Sequence, residues 1–149
     1  MSRQHTASTV AVKGDRLFLQ IPALPSQVGN ARHAVTDFLR YQGWPQIDTD
    51  AVGLAVGEAG SNAVCYGKQD TSAAVVSIMC TLLSPMCLQI EVRNQGAEFR
   101  PNLDKLCSLP DHDATHGRGF ALMQYLMDEM QVFQEGSETV VRLTKSRTL

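Results

Sequence analysis

The chain has 149 residues, 44% of them hydrophobic and 19% charged, with a formal net charge of -2. That is enough sequence to close one hydrophobic core, and the balance is that of a globular protein, not a disordered or fibrous one. The slightly acidic charge is a poor match for nucleic acid, and there is neither an apolar run of membrane-spanning length nor an apolar core in Met1-Ser-Arg-Gln-His-Thr6 to act as a signal.

The expectation is therefore a single cytoplasmic domain over residues 1–149, with 1–7 as a flexible tail and with no nucleic acid or membrane as partner. Val10 and Val12, then Leu17, Leu19 and Ile21, alternate around Lys13-Gly-Asp-Arg16, which predicts a hairpin turned at Gly14. Pro22 and Pro25 stop the second strand. From Ser26, a candidate N-cap, the period changes: Val28, Ala31, Val35, Phe38 and Leu39 share one helical face until Gly43-Trp-Pro45.

A second helix is predicted from about Asp48, a candidate cap, to Tyr66, with Gly67 as its stop. It carries Gly53, Gly57 and Gly60, each costing a helix interior roughly 1 kcal/mol relative to alanine. The close approach of a sheet or a ligand would offset that cost. Ala73 to Leu83 reads as a central strand. After Ser84-Pro85, Leu88, Ile90 and Val92 alternate with polar residues in the clearest strand of the chain. Residues 100 to 116 show no sustained period, and a loop of that length in a compact domain is usually functional, so 100–118 is read as a lid. A third helix follows from Gly119 to Met130, with Phe120, Met123, Leu126 and Met127 inward, and a last hairpin joins Val132-Phe133 to Thr139–Leu143 across Glu135-Gly-Ser137. This order predicts an α+β fold, a two-layer α/β sandwich with a mostly antiparallel sheet and its helices on one face. The four cysteines (Cys65, Cys80, Cys87 and Cys107) form no C-x-x-C pair and read as reduced, small hydrophobes.

Three stretches carry chemistry. Asn94 continues the inward parity of Leu88, Ile90 and Val92, so its amide points into the protein and needs partners there. Gly96, two residues on, lets backbone approach closely, and a planar base with donor and acceptor edges would satisfy both. Glu58 and Asn62 lie one turn apart on the second helix. An isolated E-x-x-x-N is usually a solvated pair, but this one falls in a glycine- and alanine-rich surface built for close packing. The Asn62 amide oxygen suits Mg²⁺ beside nucleotide phosphates, and Glu58 suits a general base. Finally, His116-Gly-Arg-Gly-Phe120 joins the lid to a helix start, where exposed N–H groups of Gly117 and Gly119, assisted by Arg118 or Thr115, would attract phosphate.

With these residues in view, the chain resembles the GHKL (Bergerat) ATP-binding fold, and specifically bacterial anti-sigma factor serine kinases of the RsbW type. Val56-Gly-Glu-Ala-Gly-Ser-Asn-Ala-Val64 is similar to that family's N-box, Arg93-Asn-Gln-Gly-Ala-Glu-Phe99 stands at its adenine box, and Gly117-Arg-Gly-Phe-Ala-Leu-Met123 with Met127-Asp-Glu-Met130 resembles the segment that distinguishes the branch. The resemblance implies Glu58 as catalytic base, Asn62 as Mg²⁺ ligand, and Asn94, Gly96, Thr115, His116, Gly117, Arg118, Gly119 and Phe120 around bound ATP. It implies serine/threonine kinase activity on an anti-sigma factor antagonist of the STAS-domain type, binding of a sigma factor, a partner surface including Arg32, and homodimers such as relatives often form. Two positions depart from the pattern: Asn94 stands where the family has an Asp, and Glu98 where it has a second glycine. An Asn oxygen accepts from an adenine amino group without the charge-assisted strength of a carboxylate. The alternative these departures support is a binding module that sequesters a regulatory partner without phosphotransfer.

Overall fold

The computed structural model describes residues 8–66, 74–95 and 113–149. The predicted tail (1–7), Gly67, Gly96, Glu98, Cys107 and most of the predicted lid lie outside the described residues.

Six strands and three helices follow one another as β1 (Thr9–Lys13), β2 (Arg16–Pro22), α1 (Pro25–Tyr41), α2 (Gln46–Tyr66), β3 (Val75–Ser84), β4 (Cys87–Gln95), α3 (Asp113–Leu126), β5 (Glu129–Glu135) and β6 (Glu138–Ser146). All strand pairs are antiparallel, in the order β1-β2-β3-β4-β6-β5. Alternation along each strand sends Leu17, Leu19, Ile21, Ile78, Leu88, Ile90 and Leu143 to one face, where they are buried beneath the helices. The two-layer sandwich read from the sequence is the architecture observed. No helix among the described residues is long and apolar enough to cross a membrane.

Turn chemistry follows the glycines at two places. Gly14, at φ 61°, turns the first hairpin. Gly43, at φ 83°, ends α1 in a Schellman arrangement, its N–H donating to the Arg40 carbonyl while the Trp44 N–H donates to the Leu39 carbonyl. Trp44 is thereby folded under into the core.

Several boundaries differ from the expectation. Ser26 is not the cap of α1: Leu24 takes that position without a side-chain bond, and Pro25, with its fixed φ, opens the helix. Asp48 lies inside the first turn of α2, buried, where its carboxylate accepts from the backbone N–H of Thr148 at 2.8 Å and its hydroxyl at 2.7 Å. It fastens the segment that follows β6 to the start of α2. α3 begins at Asp113, ahead of Gly119, and ends at Leu126, with Glu129 and Met130 given to β5. Cys80 and Cys87 are free thiols, whereas Cys65 is disulfide-bonded, so the reading of all four as reduced does not hold. Burial pushes the Cys80 thiol up to about 12.

The three glycines of α2 meet α1 rather than the sheet. A β-carbon at Gly53 would stand 2.9 Å from Thr36 Cγ2, one at Gly57 would stand 3.4 Å from Arg32 Cδ, and one at Gly60 would stand 3.2 Å from Val28 Cγ1. Val28, Arg32 and Thr36 form an i, i+4, i+8 ridge, and the glycines form the groove that receives it. The sheet side of α2 is a separate stripe: Val52, Ala55, Val56, Ala59 and Ala63, all buried.

Candidate functional site

Residues on α2 advance by about 100° each, so Glu58 and Asn62 fall on a third face, turned away from the α1 seam and toward α3. α3 crosses there. A β-carbon built on Gly119 would stand 2.8 Å from Glu58 Oε1 and 4.0 Å from Asn62 Nδ2. Only a residue without a side chain lets the Glu58 carboxylate lie against the α3 backbone. Two of the three stretches that the sequence analysis separated by more than fifty positions thus meet in space.

Glu58 is half-buried and Asn62 is 6% exposed. The Asn62 Nδ2 group is buried and has no hydrogen-bond partner among the described residues. Asn94 repeats the pattern at the end of β4: it is 6% exposed, faces the helix layer, and its Nδ2 is also unpartnered among the described residues. A buried amide donor left unmade costs about 1–3 kcal/mol, and these two, on packed neighbouring elements, are groups that a polar ligand would satisfy. Among the described residues no group of three or more His, Cys, Asp or Glu gathers as a metal cage.

Sequence reasoning missed Thr139. It is 1% exposed and pairs across the sheet with Asn94, so the two side chains share a face. Its hydroxyl donates to Gln134 Oε1 at 3.1 Å. The inward parity of Val141 and Leu143 would have placed it beside Asn94 once the strand pairing was known.

The remaining candidates divide. Phe120 packs into the core cluster. Thr115, His116, Gly117 and Arg118 belong to α3, but their side chains, like all of Gly96, lie outside the described residues. Because α3 starts at Asp113, Gly119 is an interior helix glycine; its close approach to Glu58, not an exposed helix N-terminus, is what it contributes. Arg32 is on α1, at its seam with α2 and away from the α2 face that carries Glu58, exposed beside a groove of about 470 Å³ that His33, Arg40 and Asp50 also line.

The sequence pattern described as the histidine kinase-like ATPase domain matches residues 21–145. The chain belongs to that family. It is 30% identical over 138 residues to the serine-protein kinase RsbW of Bacillus velezensis, spanning 88% of this chain and 85% of that protein. To the anti-sigma F factor of Priestia megaterium it is 28% identical over 145 residues, 91% of this chain and 97% of the relative. Among solved structures, the RsbU and RsbW domains of a Mycobacterium tuberculosis protein superpose with a TM-score of 0.65 at 18% identity. That superposition covers 89% of this chain and 33% of the other, and at such identity it speaks for the fold alone.

Proposed function

We propose that this ATPase-family chain binds Mg-ATP and acts as a serine/threonine-protein kinase on an antagonist protein of the STAS-domain type, within an anti-sigma partner switch. The observation that carries the reading is the coincidence of Glu58, Asn62 and Gly119 at one crossing of α2 and α3, with a second unpartnered amide, Asn94, on the strand beneath. Names borne by the relatives, a serine-protein kinase and an anti-sigma factor, support the same activity.

In this reading Asn94 and Thr139 meet the base, and Asn62 offers its amide oxygen to the metal. Mg²⁺, when bound, supplies charge neutralisation across the phosphate oxygens. Glu58 receives the proton of the acceptor hydroxyl as that oxygen attacks the terminal phosphorus and ADP departs. Gly119 keeps the Glu58 carboxylate close to the α3 backbone. The cytoplasm is the compartment where ATP, sigma factor and antagonist would coexist. Arg32, exposed on the α1–α2 face, belongs to the partner surface, and a homodimer is the assembly carried over from relatives.

Incubation with γ-labelled ATP and a purified STAS-domain antagonist tests the proposal. Label should reach a Ser or Thr of the antagonist with the wild-type chain and be lost with Glu58→Ala, while Glu58→Ala still binds Mg-ATP. Undiminished transfer by Glu58→Ala would remove the base from Glu58. Nucleotide binding without transfer by the wild type would leave a sequestering module.

A further inference from the structure

Asn94 stands at the base end of the proposed site. It sits on β4 between Val76 of β3 and Thr139 of β6 in the ladder, faces the helices, is 6% exposed, and has an unpartnered buried Nδ2 among the described residues. A carboxylate at this point would present acceptors only. A carboxamide presents one acceptor and one two-hydrogen donor, and a half-turn of its terminal torsion exchanges them. The torsion is a broad, nearly two-fold one, so both presentations are open to the same backbone.

That difference maps onto purine chemistry. The edge of adenine near C6 offers a donor, the 6-amino group, beside an acceptor, N1. The edge of a 6-oxopurine such as hypoxanthine or guanine offers the reverse: an acceptor, O6, beside a donor, N1–H. Asn pairs with the first at two points, its oxygen accepting from the 6-amino group and its NH₂ donating to N1. Turned over, it pairs equally with the second. A carboxylate can accept from N1–H but meets O6 with lone pair against lone pair, leaving that acceptor unpaired.

We infer that Asn94 relaxes the specificity of this site at the purine 6-position, so that 6-oxopurine nucleoside triphosphates bind beside ATP. The inference rests on the nucleotide-site reading proposed above. It adds that one side chain of this chain sets which purines enter.

Inosine triphosphate is the cleanest probe, since it differs from ATP only at the 6-position and the N1 proton that follows from it. Calorimetric titration of the full chain with Mg-ATP and Mg-ITP should give affinities within about tenfold of each other. Asn94→Asp should weaken ITP relative to ATP by about 100-fold or more, because a site whose polar group is left facing the wrong partner rejects it strongly. A wild-type chain that binds ATP and discriminates against ITP by about 100-fold would overturn the inference while leaving the nucleotide site intact. An ATP-to-ITP ratio unchanged by Asn94→Asp would overturn it too. The wild-type ratio decides the matter even if the Asp variant folds poorly. Absence of binding by either nucleotide would sink the nucleotide site itself.

Discussion

Gly119 illustrates how much a site can depend on an atom that is absent. Its missing β-carbon leaves 2.8 Å of room for Glu58 Oε1, and the nearest neighbour that would have to move is the tip of a flexible side chain rather than backbone. Gly119→Ala should therefore cost little fold stability, and the helix gains up to about 1 kcal/mol from the alanine. It should still displace the carboxylate and cut phosphotransfer by about 10²-fold or more, the usual penalty for a mispositioned reacting group. A melting curve and a transfer assay on the same preparation separate the two effects. Transfer at the wild-type rate would mean that Glu58 need not sit against α3. At this scale the sequence was informative about Glu58 and Asn62, whose helical spacing puts them on one face, and about Asn94, whose parity turns it inward. It was silent on Thr139, because a threonine before an alternating run is ordinary until its cross-strand neighbour is known.

Among the elements, α1 and α2 pack so closely because a ridge of larger side chains enters a line of glycines. The cost of the α2 glycines is legible in the sequence, but their partner is not: periodicity shows which helix face is small, not which neighbour will occupy it. Two substitutions in these helices should have opposite signs. Gly53→Ala would press a β-carbon to 2.9 Å from Thr36 Cγ2, a branched and buried side chain with little freedom to retreat. It should destabilise by about 1–3 kcal/mol, as overpacking does. Gly29→Ala, in α1 with nothing within 4 Å of the new β-carbon, should stabilise by about 0.4–1 kcal/mol. Denaturant midpoints measure both, and a stabilised Gly53→Ala would refute the ridge-and-groove account. Helix ends were the least legible feature. Ser26 and Asp48 are residue types that cap helices, but proline geometry claims the start of α1, and the distant Thr148 claims Asp48. Long-range partners of that kind leave no local trace in sequence.

For the molecule as a whole, the alternating strands and two amphipathic helices were enough to specify two layers and one core, since each pattern can be buried in only one way. The outer face of the sheet was less predictable. There Glu91 accepts from Arg93 at 2.8 Å and from Arg142 at 2.7 Å, Arg93 reaches Glu135 and Glu138, and Arg142 lies 4.9 Å over the Phe133 ring. Burial alone would raise the Glu91 carboxyl, but hydrogen bonds and charge from both arginines outweigh it and hold the group below its usual value. A carboxyl depressed by folding stabilises fully above its unfolded pKa and loses that contribution as pH falls through the folded value. Glu91→Gln should therefore cost on the order of 1 kcal/mol at neutral pH, discounted for solvent screening, with the gap to wild type closing in acid. A gap that persists unchanged well below the carboxylate range would contradict this. The claim on which the functional account stands is that α2, β4 and α3 together hold a magnesium-bound nucleotide, and a melt with and without Mg-ATP tests it most directly. Ligand at about 100 times its dissociation constant adds ~2.7 kcal/mol. For a domain of this size that is a rise of roughly 5–10 °C, which Asn62→Ala should abolish. A wild-type melting point unmoved by millimolar Mg-ATP would contradict the account.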